Sequence, residues 1–150
     1  MRFYTYLGEE FSYDLWKQEV KAGHTFVSSG PMIDFKVNGH LPGEQVDLQK
    51  PSTLSIKANG YGHQGQVPLS RLEIIAHGKV IASAIPGDAG QSGQYLTIQL
   101  DLPVDKGLWI AARCYAGLNQ TAHTTPVYVT INGNGFFNPE TCAAYLELNE

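Results

Sequence analysis

The sequence is poor in the residues that build a chemical centre. Its 2 cysteines, Cys114 and Cys142, permit one disulfide without indicating it and form no C-x-x-C pair. The 5 histidines, His24, His40, His63, His77 and His123, include none of the H-x-H or H-x-x-x-H pairs common at catalytic zinc. There is no Gly-x-Ser-x-Gly elbow, and Ser28-Ser29-Gly30-Pro31 lies on an extended stretch rather than at a strand-to-helix turn. Asn59-Gly60-Tyr61-Gly62-His63-Gln64-Gly65 is glycine-rich, but it lacks the G-K-[ST] ending and the following helix of a phosphate cradle. It reads as a connecting loop. A small enzyme in its own right therefore has no visible constellation, and the chain is expected to carry no catalytic residue and no metal or other cofactor.

Charge is scarce as well. Asp, Glu, Lys and Arg make up 16% of the chain, 10 basic against 14 acidic for a net charge of -4, with no cluster of Lys or Arg. That balance argues against nucleic acid and against an anionic membrane surface as partners. No apolar run approaches the roughly 20 residues of a membrane span, and Met1-Arg2-Phe3-Tyr4-Thr5-Tyr6 lacks the apolar core of a signal peptide.

Strand patterning dominates what remains. Only one strong helix is legible near the front: Ser12 is a good N-cap, Asp14 sits in the first turn, Lys21 in the last, and Gly23 follows as a left-handed C′ residue. Beyond it the hydrophobic period changes to two. Met32–Val37, Gln45–Leu48, Thr53–Ala58, Arg71–Ala76, Lys79–Ala84, Gln94–Leu100, Leu108–Tyr115 and Val127–Ile131 read as strands. Asn38-Gly39, Pro42-Gly43 and His77-Gly78 mark turns, the last a hairpin. Pro139 opens a short helix ending near Leu146. The pattern predicts an all-β, antiparallel, immunoglobulin-like sandwich of about seven to eight strands, with an N-terminal helix and a short C-terminal one. Residues 1–23 form a segment and helix packed on the sandwich, and residues 24–150 form the sandwich itself. Asp105-x-Gly107-x-Trp109 fits the approach to the sixth strand of such domains, where an aromatic packs at the sheet corner.

Three runs carry a more specific signal: Ala22-Gly23-His24-Thr25-Phe26-Val27-Ser28-Ser29-Gly30-Pro31, Leu108-Trp109-Ile110-Ala111-Ala112-Arg113 and Ala122-His123-Thr124-Thr125-Pro126-Val127. In order and spacing they resemble the C-terminal region of the CehA/McbA-type, carbaryl-hydrolase-like metal-dependent hydrolases, over about Leu7 to Ile131. In that family a PHP-type catalytic domain carrying the divalent metal precedes this region. The resemblance implies a non-catalytic accessory domain whose partner is such a catalytic domain. His24 and Ser28-Ser29 depart from the Arg and Thr-Asn usual there. The competing reading is a free-standing binding module, for instance for carbohydrate, fed by 2 Trp, 8 Tyr and 6 Phe. Most of those aromatics, however, fall at core-like positions.

The candidate interface or structural residues are Phe3, Tyr4, Tyr6, Trp16, Gly30, Pro31, Trp109, Arg113 and His123. Arg113 lies on an apolar strand and must reach water, a carboxylate or several carbonyls. His123 is expected to anchor the start of the final strand by a hydrogen bond. Gly30 supplies an unusual φ and Pro31 blocks strand pairing. Phe3, Tyr4, Tyr6 and Trp16 are expected to form an exposed apolar patch, through which the domain self-associates when uncovered.

Overall fold

The computed structural model describes residues 1–8, 10–62, 67–88 and 90–136. The anticipated C-terminal helix and Cys142 lie outside them. Among the described residues there are one helix and eleven strands: β1 (Arg2–Thr5), α1 (Tyr13–Ala22), β2 (Thr25–Ser28), β3 (Met32–Val37), β4 (Gln45–Leu48), β5 (Ser52–Tyr61), β6 (Leu69–Ala76), β7 (Lys79–Ala84), β8 (Tyr95–Val104), β9 (Leu108–Ala116), β10 (Gln120–Thr124) and β11 (Val127–Ile131).

They form an all-β sandwich. The smaller sheet has the order β3-β5-β8. In the larger, β9 pairs along one edge with β6, which carries β7, and along the other with β10 and then β11. Beyond these lie β2 and β1 on the β10 side and β4 on the β11 side. Two alternating inner faces meet in a core that includes Phe35, Leu54, Ile56, Leu72, Ile74, Leu96, Ile110, Val127 and Val129, as sandwich packing requires.

The count exceeds the expected seven to eight for identifiable reasons. β10 and β11 form two halves of one edge of β9, interrupted where Pro126 cannot donate to a ladder. Merged, they leave a framework of β3, β5 and β8 against β7, β6, β9 and β10–β11, which is an immunoglobulin-like connectivity. Strands β1, β2 and β4 extend the larger sheet beyond it. The first residues thus pair into the sheet, with Arg2 opposite Ser28 and Thr5 opposite Thr25, as well as leading to the helix. The sheet is also not wholly antiparallel, since β4 runs parallel to β11.

The helix follows its sequence signals. Leu15 N–H donates to the Ser12 hydroxyl at 3.2 Å, and Gly23 closes the other end at φ 80°. Gly23 N–H reaches the Val20 carbonyl and His24 N–H reaches that of Glu19, which is the Schellman arrangement. Asn38-Gly39 and His77-Gly78 all have positive φ, as tight hairpin turns demand. The stretch expected to be a loop from Asn59 is instead strand as far as Tyr61, because β3 and β8 pair with it from both sides. Gly60 permits this: a Cβ there would stand 2.7 Å from the Cys114 sulfur.

Cys114 is a free, buried thiol. Burial pushes its pKa up to about 12 from an ordinary 9.0, against a smaller opposing hydrogen bond from the Tyr115 backbone. The folded state therefore holds this proton more tightly than the unfolded one. Its contribution to stability is complete below pH 9.0, and falls as pH rises through about 12. Tyr6, raised chiefly by burial and secondarily by Asp34, acts in the same direction. Two results are expected for a Cys142→Ser protein: no reaction of Cys114 with a thiol reagent at neutral pH until denaturant is added, and a denaturation midpoint that declines above pH 9.0. Rapid native labelling would contradict the burial.

Candidate functional site

The outer face of the larger sheet carries a groove. Cross-strand register aligns Phe3, Val27, His123, Arg113 and Glu73 in one row across β1, β2, β10, β9 and β6. Along β9, Leu108, Ile110, Ala112 and Cys114 enter the core, so Trp109, Ala111, Arg113 and Tyr115 face outward. Trp109 therefore stands on the outer face of the sheet. It meets His77 edge-on at a centroid distance of 6.1 Å. Between the long side chains of Trp109 and Arg113, the small Ala111 leaves a groove of about 530 Å³, lined also by Phe3, Val27, Ile75, His123 and Pro126. Four of the nine sequence candidates, Phe3, Trp109, Arg113 and His123, thus share one surface.

Arg113 finds a carboxylate. Its Nε and Nη2 donate to Glu73 Oε2 at 3.1 and 2.8 Å, while Arg71 Nε lies 2.9 Å from Oε1 of the same group. Both guanidiniums also lie near the Tyr115 ring, at 4.6 and 5.1 Å. Glu73 is only 4% exposed although it belongs to an outer face. The arginines are what cover and satisfy it. Neither Arg71 nor Glu73 was among the sequence candidates, because two strands 40 residues apart supply the pair.

His123 does not play the anchoring part expected of it. It is exposed, and its ring has no hydrogen-bond partner among the described residues. The adjacent threonines do that work instead. Ala112 N–H donates to Thr124 Oγ1 at 3.1 Å, and the hydroxyls of Thr25 and Thr125 meet at 2.7 Å. Gly30 has no positive φ. A Cβ there would meet the end of the Gln120 side chain at 2.3 Å. Next to it, Ser28 Oγ accepts from Gly30 N–H and donates to the Pro31 carbonyl, shaping the passage between sheets.

The four N-terminal aromatics separate. Phe3 is exposed. Tyr4 stacks on Phe26 at 5.0 Å, and Tyr6 packs against the same ring while donating to the Ile33 carbonyl at 2.8 Å. Strand alternation turns these two tyrosines toward the core side. Trp16 lies partly buried on α1, beside Tyr13. The expected four-residue patch is therefore reduced to Phe3 within the groove.

A second polar cluster was not foreseen. His24 Nδ1 contacts Glu19, its Nε2 lies 3.7 Å from Glu44, and His40 Nδ1 lies 3.1 Å from the same Glu44. Glu44 Oε2 also accepts from Leu41 N–H at 2.7 Å. These contacts tie the end of α1 to the β3–β4 turn. Among the described residues no group of three or more His, Cys, Asp or Glu side chains is placed to hold a metal ion, and no helix is long and apolar enough to cross a membrane.

No protein-family model matches the chain, and no curated protein does so either. Among solved structures, the chain is similar to one from Clostridium thermocellum, described as the CbhA fibronectin(III)-like modules. That similarity has 18% identity and a TM-score of 0.40, covering 66% of this chain and 96% of the other. Nothing about function follows from likeness of that degree.

Proposed function

We propose that this chain is a non-catalytic accessory β-sandwich domain that packs on a PHP-type, CehA/McbA-like catalytic domain and shapes access to its metal site. The supporting observation is the groove itself. Trp109 and Arg113 of one resembling run and His123 of another, on the neighbouring strand, meet Phe3 from the far end of the chain on one outward surface. Alanine is a poor strand residue, and Ala111 on an outer face leaves a hollow that an approaching surface can fill. Aromatic and arginine side chains around an apolar floor are also the composition favoured at protein interfaces. The divalent metal of this reading belongs to the catalytic partner.

The test adds this chain to a CehA/McbA-type catalytic domain stripped of its own C-terminal region, followed by sedimentation velocity. A one-to-one complex is expected, weakened at least about tenfold by Ala111→Arg, which fills the hollow. Failure of the native chain to associate, or equal binding by a correctly folded Ala111→Arg protein, would overturn the proposal.

A further inference from the structure

The outer face of the smaller sheet holds a second surface, remote from the groove. Register places Met32, Tyr61 and Tyr95 in one row across β3, β5 and β8, and Asp34, Asn59 and Thr97 in the next row on the same face. The three members of the first row are all exposed, at 39, 42 and 36%. An asparagine in a central strand breaks the usual preference, yet Asn59 is buried and makes three side-chain hydrogen bonds. Its Oδ1 accepts from the Tyr95 hydroxyl at 2.9 Å and the Thr97 hydroxyl at 2.8 Å, and its Nδ2 donates to Asp34 at 3.3 Å. Gln91 braces Thr97 by both backbone groups, at 3.0 and 2.8 Å. Local rules broken with this much support point to a functional surface.

The geometry sets what fits. The Tyr95 hydroxyl reaches back to Asn59, a residue opposite Thr97 rather than opposite Tyr95 itself. The phenol therefore leans along the sheet and presents part of its ring face to solvent. Tyr61 lies beside it at 5.4 Å between centroids, inclined by 50°. Two rings so inclined cannot stack on one flat ligand, but each can meet the apolar face of a successive ring along a chain. The Asp34 carboxylate has acceptor capacity left to receive hydroxyl hydrogens. Its charge, in the row nearest the rings, opposes an anionic ligand more directly than Lys36 and Lys57, paired one row beyond, can attract it. A single row of three side chains flanked by polar groups is too narrow for a protein interface, which needs about 1,000 Å² or more.

We infer that the Met32–Tyr61–Tyr95 row and Asp34 form a binding platform for a neutral oligosaccharide, spanning at least two consecutive sugar rings. Because Asn59 holds the Tyr95 ring before binding, little side-chain freedom remains to be lost. This site is independent of the proposed docking to a catalytic domain.

The test titrates the native chain by calorimetry and by amide chemical-shift mapping. The probes are cellohexaose, xylohexaose and mannohexaose, with glucose and a galacturonic acid hexamer as controls and insoluble cellulose in a separate pull-down arm. At least one neutral hexamer, with shifts confined to β3, β5 and β8, or the insoluble cellulose is expected to bind. Glucose and the anionic hexamer should not bind. Tyr61→Ala and Tyr95→Ala, both at exposed positions, should weaken binding by about tenfold or more. Tyr95→Phe, which keeps the ring and loses its tether, should fall between native and Tyr95→Ala. Ala111→Arg should leave binding unchanged, which separates this site from the groove. Absence of binding to every neutral probe at millimolar concentration, or binding indifferent to both alanine variants, overturns the inference.

Discussion

Gly43→Ala is expected to destabilise the protein by about 3 kcal/mol or more, and to lower its melting temperature by roughly 10 °C for a chain of this size. Two effects combine. Gly43 has a φ of 91°, and a Cβ on it would stand 2.4 Å from the Ala22 carbonyl oxygen and 2.6 Å from the Gly23 carbonyl. Those atoms are main chain at the closed end of α1, so no side chain can rotate aside. Gly43 N–H also donates to the Pro126 carbonyl at 2.8 Å, next to the parallel β4–β11 pairing. Any retreat therefore strains the edge of the larger sheet. Gly39→Ala provides the control. Its φ of 84° is similar, but nothing lies within 4 Å of a Cβ there, so it should cost only the left-handed backbone, about 1–2 kcal/mol. Urea denaturation of the two variants reads the difference. Equal losses would show that the helix end yields easily and that the contact is unimportant.

The second large effect belongs to Glu73. Removing it by Glu73→Ala leaves two guanidiniums, Arg71 and Arg113, beside one tyrosine ring with no carboxylate between them. Breaking a fully buried pair costs about 3–5 kcal/mol. Here the arginine side chains are 48 and 39% exposed and can turn toward water, which discounts the loss to about 1–3 kcal/mol. A double-mutant cycle of Glu73→Ala and Arg113→Ala should give a coupling of about 1 kcal/mol or more. The same cycle with Arg71→Ala should give less, because Arg71 offers one contact where Arg113 offers two. Additive single losses would mean that the arginines merely cover Glu73 without holding it.

The local features of this protein were legible in its sequence because the forces behind them act over a few residues. The Ser12 cap, the Gly23 termination and the Asn38-Gly39 and His77-Gly78 turns depend on neighbouring backbone groups, and period-two alternation names most strands. The all-β class follows from them. What lay beyond the sequence depends on which strands become neighbours. Register decided that Trp109 faces outward, that Tyr4 and Tyr6 turn to Phe26, and that Arg113 meets a glutamate on β6 rather than a carbonyl. The short strands β1, at the sheet edge, and β10, between β2 and β9, carry too little pattern of their own to be read, and exist because their neighbours offer them partners. Glycine was visible at Gly60, but its reason was not: a Cβ there would stand against the buried Cys114 sulfur that folding brings close. Composition could count the aromatics. Only the pairing of β3, β5 and β8 placed Met32, Tyr61 and Tyr95 in one exposed row, since a sheet's surface is assembled across strands whose spacing along the chain carries no record of it.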